Sequence, residues 1–322
     1  AVAQGGGPNG IACDGPQTVT TEAEILIDND VILEGFGNLT VDGNETHRVF
    51  SIGRDVTVEL RRLTVTRGSA PAGSGGGILV SASNMTTPGG VLTLLESAVT
   101  DSGADNFGGG IANLGTMTMV DSSVSGNTAG ENGGGVFNSF TFTMTASTVS
   151  GNTAALDGGG VRNTGSSLSI TNCTVSDNQA GRNGGGASNA NILMMSNSTL
   201  SGNSASADGG GIQNDSIMTM SGSVIDGACA GMAVASSGYN IESPGDTCGL
   251  GQMSDVSGIS ASALGLGPLL DNGGATETHA LMGGSAALDR IPRGDCEVDE
   301  DQRGVARPQG DECDVGAFEL EP

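Results

Sequence analysis

Apolar side chains fall two apart in short runs along most of this chain, as in Leu168-Ser-Ile170. That is the period of a strand, with one side chain pointing in and the next out. No stretch sustains the 3.6-residue period of a helix, so almost no helix is predicted. The runs also recur. Gly triplets stand at 75–77, 108–110, 133–135, 158–160, 184–186 and 209–211, and the last five are spaced 25, 25, 26 and 25 residues apart. Three apolar columns keep that register: Met117, Phe142, Leu168, Leu193, Met218; Met119, Met144, Ile170, Met195, Met220; and Val124, Val149, Val175, Leu200, Ile225. Two polar columns do the same: Asn113, Asn138, Asn163, Asn189, Asn214 after the triplets, and Asn127, Asn152, Asn178, Asn203 further on.

One unit of strand, turn, strand, turn, strand cannot bury its inward row alone. Stacked units turn each column into a continuous ladder. The expected fold is all-β: a single-stranded parallel β-helix, right-handed by the crossover rule. It resembles the solenoids of pectate lyases and is followed by a loop-rich, disulfide-containing C-terminal module. Residues 1–17 read as an N-terminal tail or cap, 18–226 as coils of about 25 residues, 227–263 as a Gly/Ser-rich transition and 264–322 as the module. Leu92, Leu94 and Val99 fit one period before Met117. Val56, Val58 and Leu63 fit 36 residues earlier still, which puts an insertion near 69–90. The pairs Ile25/Ile27, Val31/Leu33 and Leu39/Val41 predict two or three further coils, for about nine in all and a rod of roughly 40 Å. Gly and Asn are expected at corners that demand positive φ.

Charge narrows the partners. All eleven basic residues are Arg, and against 36 acids the net charge is −25. Such a surface repels nucleic acid and anionic lipid, and no apolar run reaches the roughly 20 residues of a membrane span. Ala1-Val2-Ala3 resembles the small-residue end of a signal sequence. The expected location is extracellular or at the cell surface, after signal-peptide removal. Six Cys in an exported chain predict oxidised pairs: Cys229 with Cys248 and Cys296 with Cys313, both local. Cys173 sits in a column otherwise filled by Ser122, Ser147 and Ser198, where it either fits as a small residue or pairs with Cys13 or a neighbouring subunit.

The segment Gly267-Pro268-Leu269, Asp271-Asn272-Gly273-Gly274, Thr278-His279-Ala280-Leu281, Gly284-Ser285-Ala286-Ala287-Leu288-Asp289, Asp301-Gln302-Arg303-Gly304, Arg307-Pro308-Gln309-Gly310 and Asp314-Val315-Gly316-Ala317-Phe318-Glu319 resembles the choice-of-anchor Q module of secreted bacterial surface proteins. The coils are similar to repeats of polymorphic-outer-membrane-protein type. These resemblances imply export and surface display, and no enzymatic activity.

Chemistry points the same way. The acids read as scattered turn residues, whereas glycoside hydrolysis needs a carboxylate pair in a cleft. Lys is absent, and Trp with it, so neither a lysine base nor an indole sugar platform exists. His279 falls in the module pattern and reads as structural. No catalytic residue is assigned and no cofactor is expected beyond a candidate calcium at Asp157 and Asp208, in the column before the triplets. Residues 41–70 carry five Arg (Arg48, Arg54, Arg61, Arg62, Arg67) against four acids, while 285–322 carry four against eleven. This asymmetry suggests head-to-tail self-association of a non-catalytic structural rod, a filament subunit or adhesin. The alternative is a β-helix that binds or degrades surface polysaccharide, and a cleft lined by converging acids and Arg would favour it.

Overall fold

The computed structural model describes residues 6–12, 14–82 and 89–322. Cys13 lies outside these. The chain winds into a parallel β-helix of about nine turns, and among the described residues helix is confined to Ala261–Leu264. A regular coil has a long face (Thr116–Val120), a corner, a flank (Ser123–Ser125), a two-residue strand (Thr128–Ala129), the Gly triplet and a third face (Val136–Asn138).

The apolar columns are the core. Met117 pairs with Phe142, Phe142 with Leu168, Leu168 with Leu193 and Leu193 with Met218, and all five are buried. The neighbouring Met/Ile column and the Val/Leu column of the flank are buried as completely. Met suits this interior because its unbranched side chain fills the uneven gaps between imperfect repeats.

Two early registers differ from the sequence reading. Leu92, Leu94 and Val99 stack on Val58, Leu60 and Val65, two residues on from the expected set. Ile25/Ile27, Val31/Leu33 and Leu39/Val41 belong to three faces of one coil, because they pair with Phe50/Ile52, Val58/Leu60 and Leu63/Val65. The alternation is the same in either register, so period alone could not separate them. The insertion lies within the expected stretch, between Val80 and Val91, where other coils have a short turn from third to long face. The extra residue of the 26-residue coil falls at the same turn, between Asn163 and Ser167.

Gly and Asn do occupy corners of positive φ, Asn172 and Asn197 among them, but the two Asn columns are not at those corners. They point inward, and the positive φ belongs to the residue before the second column: Gly126, Gly151, Asp177 and Gly202. Each Asn Nδ2 donates to the Oδ1 of the next coil's Asn, at 2.9, 2.9 and 3.0 Å along Asn127, Asn152, Asn178 and Asn203. A second such ladder runs from Asn113 to Asn214. These amides satisfy backbone groups left free where the chain turns. A third ladder joins Ser97, Ser122 and Ser147, then Ser198 and Ser223, through backbone N–H to hydroxyl bonds. Cys173 occupies the gap between, with its N–H donating to the Ser198 hydroxyl. It forms no disulfide, and burial pushes its thiol up to about 12. The second Gly of every triplet but the last is fixed by close approach: a Cβ on Gly134 would lie 2.4 Å from the Gly159 carbonyl oxygen.

Asn152→Ala tests the ladder. Its amide accepts from Asn127 and donates to Asn178 and the Val124 carbonyl. Buried groups that lose a partner cost about 1–3 kcal/mol each. The midpoint of guanidinium unfolding should therefore fall by the equivalent of about 2–5 kcal/mol, whereas Asn29→Ala, on the surface, should change it by under about 0.5 kcal/mol.

Candidate functional site

The C-terminal module turns back and lies along the flank. Gln302 is at the centre of the seam: its Nε2 donates to the Thr148 and Thr276 hydroxyls at 2.9 and 2.8 Å, and its Oε1 accepts from Thr174 at 2.7 Å. His279 Nε2 lies 2.9 Å from the Ser176 hydroxyl and its Nδ1 2.7 Å from the Gly267 carbonyl, a structural placement. The Ala317 N–H donates to Thr199. The module therefore buries the outward Thr and Ser of three flank strands, Thr148–Ser150, Thr174–Ser176 and Thr199–Ser201, while Ser123 and Ser125 stay half exposed.

The module holds itself together with polar contacts. Arg303 bonds Asp301 at 2.9 Å and packs 3.6 Å from the centre of the Phe318 ring. Arg307 is buried, donates to the Asp314 and Gly316 carbonyls and pairs with Glu319 at 3.3 Å. Cys296 is bonded to Cys313, and Cys229 to Cys248 at the end of the last coils.

The module ends short of the earlier coils, and a groove opens where it stops. The antiparallel strands Leu266–Leu270 and Thr278–Leu281 carry a loop whose Ala275 forms one wall. Arg62, Glu96, Asp121 and Ser123 form the other, around a cavity of about 310 Å³. A second hollow of about 330 Å³ shares Ser123 and Ala275 and continues past Thr148 and Asp271.

Arg62, Glu96 and Asp121 occupy one position in three successive coils, the corner between long face and flank. Their φ values are 48°, 47° and 49°. Register puts neighbours one strand spacing apart, about 4.8 Å. The carboxylates of Glu96 and Asp121 have no hydrogen bond or ion pair among the described residues. Burial first, and the charge of Glu96 second, push the Asp121 carboxyl above its ordinary value. Arg62 faces the groove with its charge already matched, since Nε and an amino group bond Glu34 at 3.1 and 2.9 Å. The hydrogen bond from Arg62 holds Glu34 below the usual carboxylate range, against the opposing pull of burial.

This carboxylate pair is what the sequence reading missed. The corner column, four residues after the first apolar column, was available as a signal: Arg62, Glu96, Asp121, Ala146, Asn172, Asn197, Gly222. The other candidates are dispersed. Of the arginines singled out for assembly, Arg48 pairs with Glu24, Arg61 with Glu59, Arg62 with Glu34 and Arg67 with Asp42. Arg54 forms no ion pair among the described residues. Asp157 is held by Arg182 and Asn183, and Asp208 is exposed. No cluster of three or more metal-ligating side chains occurs among the described residues, and none of their helices is long and apolar enough to cross a membrane.

Comparison with known proteins adds a fold relative. A crystal structure of pectate lyase Pel9A superposes with a TM-score of 0.53 over 95% of this chain and 86% of that one, at 16% identity. At that identity the likeness carries the fold alone. No family model matches the sequence, including for the anchoring module and the outer-membrane repeats that it resembles. No curated protein matches it either.

Gln302→Ala should undock the module. It removes two bonds across a buried seam and the bond to Thr276 within the module, for an expected loss of about 2–4 kcal/mol. Hydrogen exchange should rise in 276–319 while the amides of the long face stay protected.

Proposed function

We propose that the chain is an extracellular polysaccharide-active β-helix that hydrolyses a neutral glycan in the groove between flank and module. The observation that supports this reading is the unpaired Glu96 and Asp121, side by side in a cleft with their environments already unequal. Glycoside hydrolysis uses two carboxyl groups in different protonation states. Asp121, with its raised pKa, is suited to protonate the leaving glycosidic oxygen; Glu96, at the exposed side, is the partner carboxylate. A spacing of one coil is close to the separation of retaining enzymes, about 5 Å. The half-exposed Ser123 and Ser125 offer hydroxyls to a sugar chain. The acid-rich walls disfavour a uronate polymer, and the Glu34-locked Arg62 does not offer the free base that elimination needs. Two disulfides suit an oxidising, extracellular location.

A non-catalytic surface rod is the second reading. It is favoured by the first strand of the flank, Gln17–Thr20, which is exposed at every residue and, among the described residues, pairs only with the following coil.

The test is release of reducing ends from neutral β-glucan, galactan, mannan, xylan and arabinan. Glu96→Gln and Asp121→Asn should each lower the rate at least 100-fold without changing thermal stability by more than about 1 kcal/mol. Activity should decline as pH rises through the raised pKa of Asp121, because the acid form is lost. If no polymer is either cleaved or retained on an affinity gel, the structural rod becomes the better account.

A further inference from the structure

A second cavity lies at the other end of the seam, where the last coils meet the disulfide-bracketed loop of the module. Its volume is about 430 Å³ and its walls are mostly polar. Asp295 and Glu297 enter it from the module. Tyr239 enters from the last coils with φ 58°, a left-handed conformation that is costly for an aromatic residue and is found where a site dictates backbone shape. The phenol donates to Asp295 at 2.6 Å, and Ser221 donates to Glu297 at 2.8 Å. Asn197 belongs to the same corner column as Glu96 and Asp121. It is 2% exposed and lines the cavity, and its Nδ2 has no hydrogen-bond partner among the described residues.

A buried amide without a partner is expensive and uncommon. Here it stands at the wall of a space that holds two carboxylates with further accepting capacity. A ligand that completes the set must accept from an amide N–H and donate to carboxylates. Hydroxyl groups do both. A bare cation leaves the amide donor unanswered, and an anion meets two negative charges with no Arg in the cavity wall. The partly exposed face of Tyr239 adds an apolar surface of the kind on which a sugar ring packs.

We infer that this cavity is a binding site for one neutral sugar residue, held by Asp295, Glu297 and Asn197 against Tyr239. It is separate from the groove and does not depend on hydrolysis there.

The sequence supplies its own probe. Tyr239 is the only Tyr, and there is no Trp, so intrinsic fluorescence reports this cavity. The full chain would be titrated with methyl glycosides of glucose, galactose and mannose, with galacturonate, and with calcium chloride alone. At least one neutral glycoside should change the emission saturably, and galacturonate and calcium should not. Glu297→Gln should weaken that binding roughly tenfold, the usual cost of a hydrogen bond to a charged group. Asn197→Gly, which keeps the left-handed backbone allowed, should weaken it as well, with saturation-transfer NMR as a second readout. The Glu96→Gln/Asp121→Asn double variant should bind as the parent does, so failure of the groove reading leaves this result intact. The inference is overturned if no neutral glycoside binds by either method, if galacturonate binds equally, or if calcium alone gives the saturable change.

Discussion

The structure depends on one constraint: each coil must lie on the next in register. Parallel-strand hydrogen bonds, the apolar columns and the Asn and Ser ladders all impose the same offset of about 25 residues. A slip of one residue would turn every inward side chain to water and strip each ladder amide of its neighbour. Departures from the offset are taken up in turns and corners between faces, among them the corner between Glu34 and Leu39. Both the eight-residue expansion after Val80 and the single extra residue after Asn163 fall in the turn from third to long face. The rod can vary in outline at that turn without disturbing its interior.

Regular stacking also has a consequence for chemistry. A position repeated in every coil becomes a row of side chains about 4.8 Å apart, and a row at a corner points outward whatever its residue. The left-handed corner between long face and flank holds Glu96 and Asp121 in the groove and Asn197 in the second cavity. The corner backbone has a positive φ at each of these positions, and this fixes where the side chains project. Substituting residues in one column is enough to change which groups a corner presents.

The module gives those rows walls. Without it the flank would be an open surface of Thr and Ser. Docked, it buries three flank strands and leaves the earlier ones as a groove floor. Much of the motif DQRG, RPQG, DVGAFE serves this architecture: Asp301, Arg303, Arg307, Asp314 and Glu319 bond within the module, and Gln302 reaches across to the coils. Bonds of that kind account for these residues without assigning them to catalysis or anchoring.

The sequence by itself determined the β-helix, its regular core columns and the two local disulfides; that Cys173 stays unpaired in its Ser column was decided by the structure. The columns and disulfides follow from spacing, and in a solenoid sequence spacing is spatial neighbourhood. The sequence misplaced Val56, Val58 and Leu63 by one alternation, because weak early repeats leave two registers equally apolar. It put the Asn columns at positive φ, because a one-dimensional pattern does not distinguish a residue that turns the chain from one that hydrogen-bonds the turn from inside. Only the tertiary structure decided that the module lies back on the flank. Thr148 and Thr174 have the same alternation as the half-exposed Ser123, so nothing local marks them as buried. Contacts between residues more than 100 positions apart carry no period, and the cavities that those contacts create were therefore invisible until the chain was folded.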